Sequence, residues 1–196
     1  IIRTNDGAPR YRLISVNLDK PGRENWKTIV PEKEEVLKSA QAAAGMLICQ
    51  YMKDATDKAF VFGMNGDFQH EIALPGPGTI SDFESTREDA DAFYSFISFT
   101  SPSTIYKLGV KSNKSEVYRK PEINFDASGI VSEQVFYTSK DGTRIPMFLV
   151  HRADIKPDGN NPVYLYGYGG FNVSLTPNFS VSRLLFIENG GVFAMA

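Results

Sequence analysis

The pattern that most constrains this chain is a repeat of paired short strands in which the second strand of each pair runs into a proline. Tyr11–Leu18, Lys58–Met64 and Ser103–Val110 are apolar-rich stretches of similar length. Each is followed by a polar turn and a second short strand: Trp26–Pro31, His70–Pro75 and Ser115–Pro121. Further apolar strands, Met46–Tyr51 and Phe93–Phe99, precede the second and third copies. The period is roughly 45 residues, which suits four antiparallel strands per blade of a β-propeller. The first copy is expected to lack its early strands.

One local signal competes with the repeat. Val36, Leu37, Ala40, Ala43, Ala44, Leu47, Ile48 and Tyr51 fall at the spacing of an amphipathic helix, and alanine favours helix. The repeat instead requires two strands here with a turn near Ala44-Gly45. Tertiary pairing routinely overrides propensity, so two strands are the expectation.

From about Ser128 the pattern changes. Val135–Thr138 and Arg144–Val150 flank Lys140-Asp141-Gly142, a hairpin turn in which Gly142 can take positive φ. The second of these strands is apolar on both faces. Val163–Tyr166 reads as a further buried strand, with Tyr164 and Tyr166 as core. Ser180–Asn189 reads as a helix, with serine at its start and Asn-Gly at its end, and Val192–Ala196 as a strand reached by a parallel crossover. A hairpin leading into strand-helix-strand is the opening of an α/β sheet. The fold class expected is therefore mainly β with an α/β end. Residues 1–125 form a partial propeller, and 126–196 the start of a second domain.

Bulk properties exclude several function classes. A formal net charge of -2 without any Lys/Arg-rich run removes the main electrostatic warrant for nucleic-acid binding. No apolar run approaches the roughly 20 residues that span a bilayer, so no membrane association is expected. Cys49 is the only cysteine, which rules out an internal disulfide and a cysteine-based zinc cluster. The first residue is Ile1 and the last apolar run ends at Ala196, so both ends are expected to be cuts in a longer sequence.

The segment Val163–Asn172 carries the chemistry. An apolar strand opening into the Gly-rich, aromatic turn Gly167-Tyr-Gly-Gly-Phe171 is how many hydrolases place an oxyanion-binding loop beside a nucleophile. No Gly-x-Ser-x-Gly occurs, and the histidines are His70 and His151 alone. The same glycines lack the later glycine of a dinucleotide fingerprint and the Lys-Ser/Thr of a P-loop.

Three segments in order resemble the prolyl oligopeptidase family: Ser98–Tyr106, Tyr137–Phe148, and above all Tyr164–Asn178 with Ser182-Arg-Leu184. The likeness covers essentially the whole chain, as an internal fragment. It implies the last two to three blades of a seven-bladed β-propeller followed by the start of an α/β-hydrolase domain. It implies a cytoplasmic serine-type endopeptidase that hydrolyses short peptides on the carboxyl side of proline, with no organic cofactor and no metal. The full-length protein is expected to be a monomer acting on proline-containing oligopeptides. The triad serine, aspartate and histidine would lie downstream of Ala196. Two positions carry over by motif: Tyr168 matches a tyrosine whose hydroxyl helps hold the oxyanion, and Phe171 an aromatic residue lining the pocket for the substrate proline. Two other readings stay open, an oligopeptidase of the same superfamily that cleaves after basic residues and a propeller that serves only to bind proteins.

Other polar features have plainer readings. His70 and His151 are expected to be strand histidines with ordinary hydrogen bonds. Asp89-Ala-Asp91 and Glu32–Glu35 lack the residue order of a calcium loop and read as solvated turns. Cys49, between Ile48 and Gln50, reads as a small buried hydrophobe. Asn-x-Ser patterns start at Asn113, Asn172 and Asn178. A glycan on Asn172 would obstruct the pocket proposed beside Phe171, a further argument for the cytoplasm.

Overall fold

The alternation of side chains along Met46–Lys53 explains how the first part of the chain is built. A computed structural model describes residues 1–196. Three antiparallel sheets come first. They are β1 (Ile2–Thr4), β2 (Arg12–Ser15) and β3 (Lys27–Val30); then β4 (Val36–Ala43), β5 (Met46–Lys53), β6 (Thr56–Gly63) and β7 (Phe68–Glu71); then β8 (Thr79–Ile80), β9 (Asp91–Ile97), β10 (Thr104–Gly109) and β11 (Lys114–Arg119). Along β5 the odd residues Leu47, Cys49 and Tyr51 pack with Leu13 and Val30 of the first sheet. The even residue Ile48 packs instead with Ile80, Tyr94, Phe96 and Leu108 of the third. Successive strand residues point to opposite faces, so a sheet covered on both sides needs the unbroken apolar run Met-Leu-Ile-Cys.

The conflict at residues 36–51 resolves as two strands. The connection is a two-residue turn with Ala44 at φ 53° and Gly45 at φ 72°, the left-handed pair that tight hairpins favour. Both turn amides are used by the third sheet: Ala44 N donates to Asp89 O (2.8 Å) and Gly45 N to Arg87 O (3.1 Å). These contacts, absent from any local propensity, select the hairpin over the helix. The first sheet corrects one expectation, because a short early strand, β1, pairs antiparallel with β2.

One buried carboxylate joins the second and third sheets. Asp57, at the start of β6, has a fully enclosed side chain. It receives Lys38 Nζ on both oxygens (2.8 and 3.0 Å), Gln50 Nε2 (3.1 Å) and the Ile80 amide (2.8 Å). Its own amide donates to Gly78 O (2.9 Å). Lys38 is the extra residue of a bulge in β4, where the register with β5 shifts between Leu37 and Ser39. Gly78 has no room for a Cβ, which would meet the Phe96 ring and lie 2.6 Å from Ile97 O. The short β8 is thus clamped to Asp57 on one side and pressed on β9 on the other.

The rest of the chain forms a mixed sheet in the order β12-β13-β15-β14, from β12 (Ile130–Thr138), β13 (Arg144–Arg152), β14 (Val163–Tyr166) and β15 (Val192–Met195). The β12–β13 hairpin closes through Ser139 N to Thr143 O, with Gly142 at φ 85°. β14 and β15 are parallel, linked by α1 (Val181–Glu188). Ser180 caps α1 by accepting from the Arg183 amide, and Gly190 follows the helix at φ 86°, the usual chemistry of the two ends. Leu184 and Ile187 of α1 join Phe148, Val150, Phe193 and Met195 in a third core, completed by Phe99 from beyond β9.

One expectation differs from the structure here. β14 is exposed rather than buried, with Val163 61% and Leu165 63% accessible and Tyr164 and Tyr166 half-exposed. It is the edge strand of the sheet, and α1 lies over β13 and β15. Likewise only Phe148 and Val150 of β13 are buried, because no element covers the opposite face. Apolar sequence records what a strand can bury, and these strands have cover on one side at most.

Two tests follow from this packing. Asp57→Ala leaves the Ile80 amide without an acceptor and Lys38 without its partner, at a cost of about 2–4 kcal/mol. In a protein carrying this chain, the urea midpoint falls by roughly 1–2 M and the Ile80 amide loses its hydrogen-exchange protection; an unchanged Ile80 amide contradicts the clamp. Cys49 is buried, and desolvation pushes its thiol up to about 12, with Lys33 opposing. Because the thiolate is the reactive form, Cys49 should resist maleimide at pH 8 in the folded protein and react once urea unfolds it. Rapid native labelling would show that the core opens there.

Candidate active-site loop

The segment between β14 and α1, residues 167–180, gathers the candidate site. Gly167 leaves the end of β14, where Ala196 N still donates to Tyr166 O (3.0 Å). Gly169 takes φ 65°, a conformation that side chains resist. Phe171 (φ 51°) and Asn172 (φ 55°) also lie in the left-handed region, and Val173 N closes their turn on Gly170 O (3.0 Å). A bulky aromatic residue with positive φ is uncommon and is stabilised only by its surroundings. The glycines therefore do not supply the whole bend. At Gly170 a Cβ would only touch the Tyr168 ring, at 3.4 Å.

Both predicted site residues project from this loop. Tyr168 is 52% exposed and Phe171 93% exposed. The phenol is a hydrogen-bond donor on a rigid ring, and the phenyl ring is an uncovered apolar face. Asn172, the adjacent acceptor pattern, is exposed as well, whereas Asn178 is engaged through Oδ1 by Arg183 Nη2 (2.8 Å) and Asn113 donates to Glu71 O (3.0 Å).

The loop is free at its tip and held at its far end. Leu175 and Phe179 pack on the third core, and Pro177 is buried. Arg183 reaches back from α1 to Asn178 O (3.0 Å) while its guanidinium lies over Phe193 (4.2 Å) and Phe99 (5.6 Å). Burial lowers its pKa from the ordinary arginine value, and the two aromatic faces offset part of that desolvation. Sequence reasoning assigned Arg183 no role, because its partners lie on β15 and beyond β9. The Ser182-Arg-Leu184 motif was the available signal.

No histidine joins the loop. His151 shares Nδ1 with Arg152 O (2.8 Å) and Nε2 with Glu133 Oε1 (3.3 Å), so an acidic neighbour absent from its sequence surroundings faces it across β12. His70 departs from the reading of an ordinary hydrogen bond, since its Nε2 is enclosed with no protein partner. Asp89 accepts from the Thr86 amide (2.8 Å), which lowers its pKa, and Asp91 pairs with Lys107 (2.9 Å). No three His, Cys, Asp or Glu side chains converge.

The geometry thus offers a donor and an apolar ring on one anchored loop, without a nucleophile or base beside them. Comparison with known proteins shows the family. Residues 1–121 match the family model described as the N-terminal β-propeller domain of prolyl oligopeptidase. The chain is 43% identical over 192 residues to a prolyl endopeptidase of Elizabethkingia meningoseptica and 37% identical over 207 residues to one of Dictyostelium discoideum. Each alignment covers 98% of this chain and 27% of the relative, so the chain spans about a quarter of those proteins. Among solved structures, one from an analysis of two prolyl endopeptidases superposes with a TM-score of 0.93 at 45% identity, over 98% of this chain and 29% of the other. Prolyl oligopeptidase B of Galerina marginata, solved with a macrocyclization substrate, gives a TM-score of 0.89 at 29% identity, over 98% of this chain and 27% of the other. The mainly β architecture is that of the family, and this chain belongs to the prolyl oligopeptidase family.

Proposed function

We propose that this chain is part of a serine-type endopeptidase that cleaves oligopeptides on the carboxyl side of proline through an acyl-enzyme. The observation that carries the reading is the loop 167–180, with Tyr168 and Phe171 exposed on a bend that takes positive φ at an aromatic residue. In this reading residues 1–125 are the last two to three blades of a seven-bladed propeller, and 126–196 open an α/β-hydrolase domain. The match of the propeller model to residues 1–121 supports the first half, and the parallel β14–α1–β15 crossover the second. The serine, its histidine and its acid belong to a part of the peptidase outside these residues.

The roles follow from the chemistry of acyl transfer. Attack on the peptide carbonyl turns its oxygen into an oxyanion, and a donor already aimed at that position stabilises the charge without reorganising. Tyr168 supplies such a donor. A proline ring carries no amide hydrogen and is apolar, so the open face of Phe171 suits it by stacking and by burial of area. The substrate class is short proline-containing peptides, and the compartment is the cytoplasm. A propeller used only for binding has no use for this loop, which favours the enzyme reading.

In the complete peptidase, Tyr168→Phe should slow acylation roughly a hundredfold to a thousandfold, the effect of losing one oxyanion donor, about 2.7–4 kcal/mol. Ground-state binding should barely change. Phe171→Ala should instead raise KM and blunt the preference for proline over alanine. Single-turnover kinetics on an activated and an amide substrate separate the two; an acylation rate within about twofold of wild type for Tyr168→Phe refutes the oxyanion role. The 196-residue chain by itself should show no turnover of a fluorogenic prolyl peptide, and activity that survives further purification would refute the assignment of the nucleophile to another part.

A further inference from the structure

Two side-chain hydrogen bonds link the first three sheets to the rest of the chain. Gln134 Nε2 of β12 donates to Asp54 O (2.5 Å), and Thr79 Oγ1 of β8 donates to Pro177 O (2.8 Å). The second of these ends inside the loop that carries Tyr168 and Phe171. We propose that Thr79 is a positioning residue for that loop, which holds Tyr168 and Phe171 in their working places from the propeller side. The proposal rests on the functional reading of those two residues given above.

The restraint on Thr79 starts at the buried charge. β8 is only two residues long, too short to be rigid through its own ladder. It is fixed from outside: Gly78 O accepts from the Asp57 amide, the Ile80 amide donates to Asp57 Oδ2, and Ile80 O accepts from Gln50 Nε2 (3.0 Å). Thr79 lies between these two clamped positions. Its β-branched side chain has few rotamers, so its hydroxyl is presented in a fixed direction, toward Pro177.

The acceptor is equally well chosen. Pro177 is buried and has no amide hydrogen of its own to tie it down, and its carbonyl is the handle that the loop offers. Leu175, Phe179 and the Arg183–Asn178 contacts hold the same stretch against the third core. Between this anchor and β14 lie the exposed tip and its positive-φ pair at Phe171 and Asn172. A loop fixed at both ends limits where its tip can go, and displacement of about 1 Å at a reacting centre is enough to cost rate. The blade that supplies Thr79 thereby becomes part of the catalytic geometry without touching substrate.

The experiment uses the complete peptidase with Thr79→Val, which removes the hydroxyl at nearly constant shape, and Thr79→Ser, which retains it. Thr79→Val should lower the single-turnover acylation rate on a prolyl peptide roughly threefold to tenfold, the scale of one net hydrogen bond. It should also speed hydrogen exchange across residues 168–176. Thr79→Ser should restore both to within about twofold of wild type. In a Tyr168→Phe background the effect of Thr79→Val on the acylation rate at saturating substrate should shrink below twofold, because the donor is gone and Phe171 acts on KM. Unchanged exchange in the loop, serine behaving like valine, or full additivity with Tyr168→Phe would each overturn the proposal. If Tyr168→Phe alone is silent while Thr79→Val still loosens the loop and serine rescues it, the anchoring stands and the oxyanion reading falls.

Discussion

The Asp57 carboxylate is the constraint on which the arrangement of the sheets turns. A charge removed from water is tolerated only with partners that replace its hydration, and those partners come from three strands besides its own. Lys38 lies on β4, Gln50 on β5, Asp57 itself on β6 and Ile80 on β8 of the next sheet. The apolar contacts between the second and third sheets are larger in area but without direction. The carboxylate helps to fix their relative placement, because a sliding of one sheet against the other by one residue would break its bond to the Ile80 amide and the bond of its own amide to Gly78 O.

Much of this architecture was legible in the sequence because repetition averages over local noise. The strands β2, β5, β6, β9, β10 and β11 announce themselves by a repeat of short apolar-rich stretches and by the turns between them, and the α1 caps at Ser180 and Gly190 are local chemistry. The parallel crossover to β15 could be read for the same reason. What escaped depends on partners distant in sequence. β8 is two residues that follow the Pro75-Gly-Pro-Gly78 stretch, and it has no pattern of its own. The exposure of Tyr164, Leu165 and Tyr166 is that of a strand at the edge of the sheet these 196 residues form, and the chain spans about a quarter of its relatives' length.

The candidate site divides in the same way. The glycines and aromatics at 167–171 stand out in one dimension, and the family likeness is the source of the roles proposed for Tyr168 and Phe171. The bend itself is different from what glycine placement suggests, since Phe171 and Asn172 take the left-handed conformation and Gly170 does not. Arg183, with its contacts to Asn178, Phe99 and Phe193, was visible only as part of a motif. Strain of this kind at an exposed aromatic residue fits a loop selected for where it points.

The two-sided burial of β5 has a consequence for how substitutions combine. Ile48 and Cys49 are covalent neighbours, yet one belongs to the core shared with the third sheet and the other to the core shared with the first. Energetic coupling follows shared packing and not chain adjacency. Cys49 is therefore tied to Leu13 and Val30, thirty-six and nineteen positions earlier, more closely than to the residue beside it. The strand acts as a party wall, and genetic interactions along it alternate residue by residue between two independent rooms.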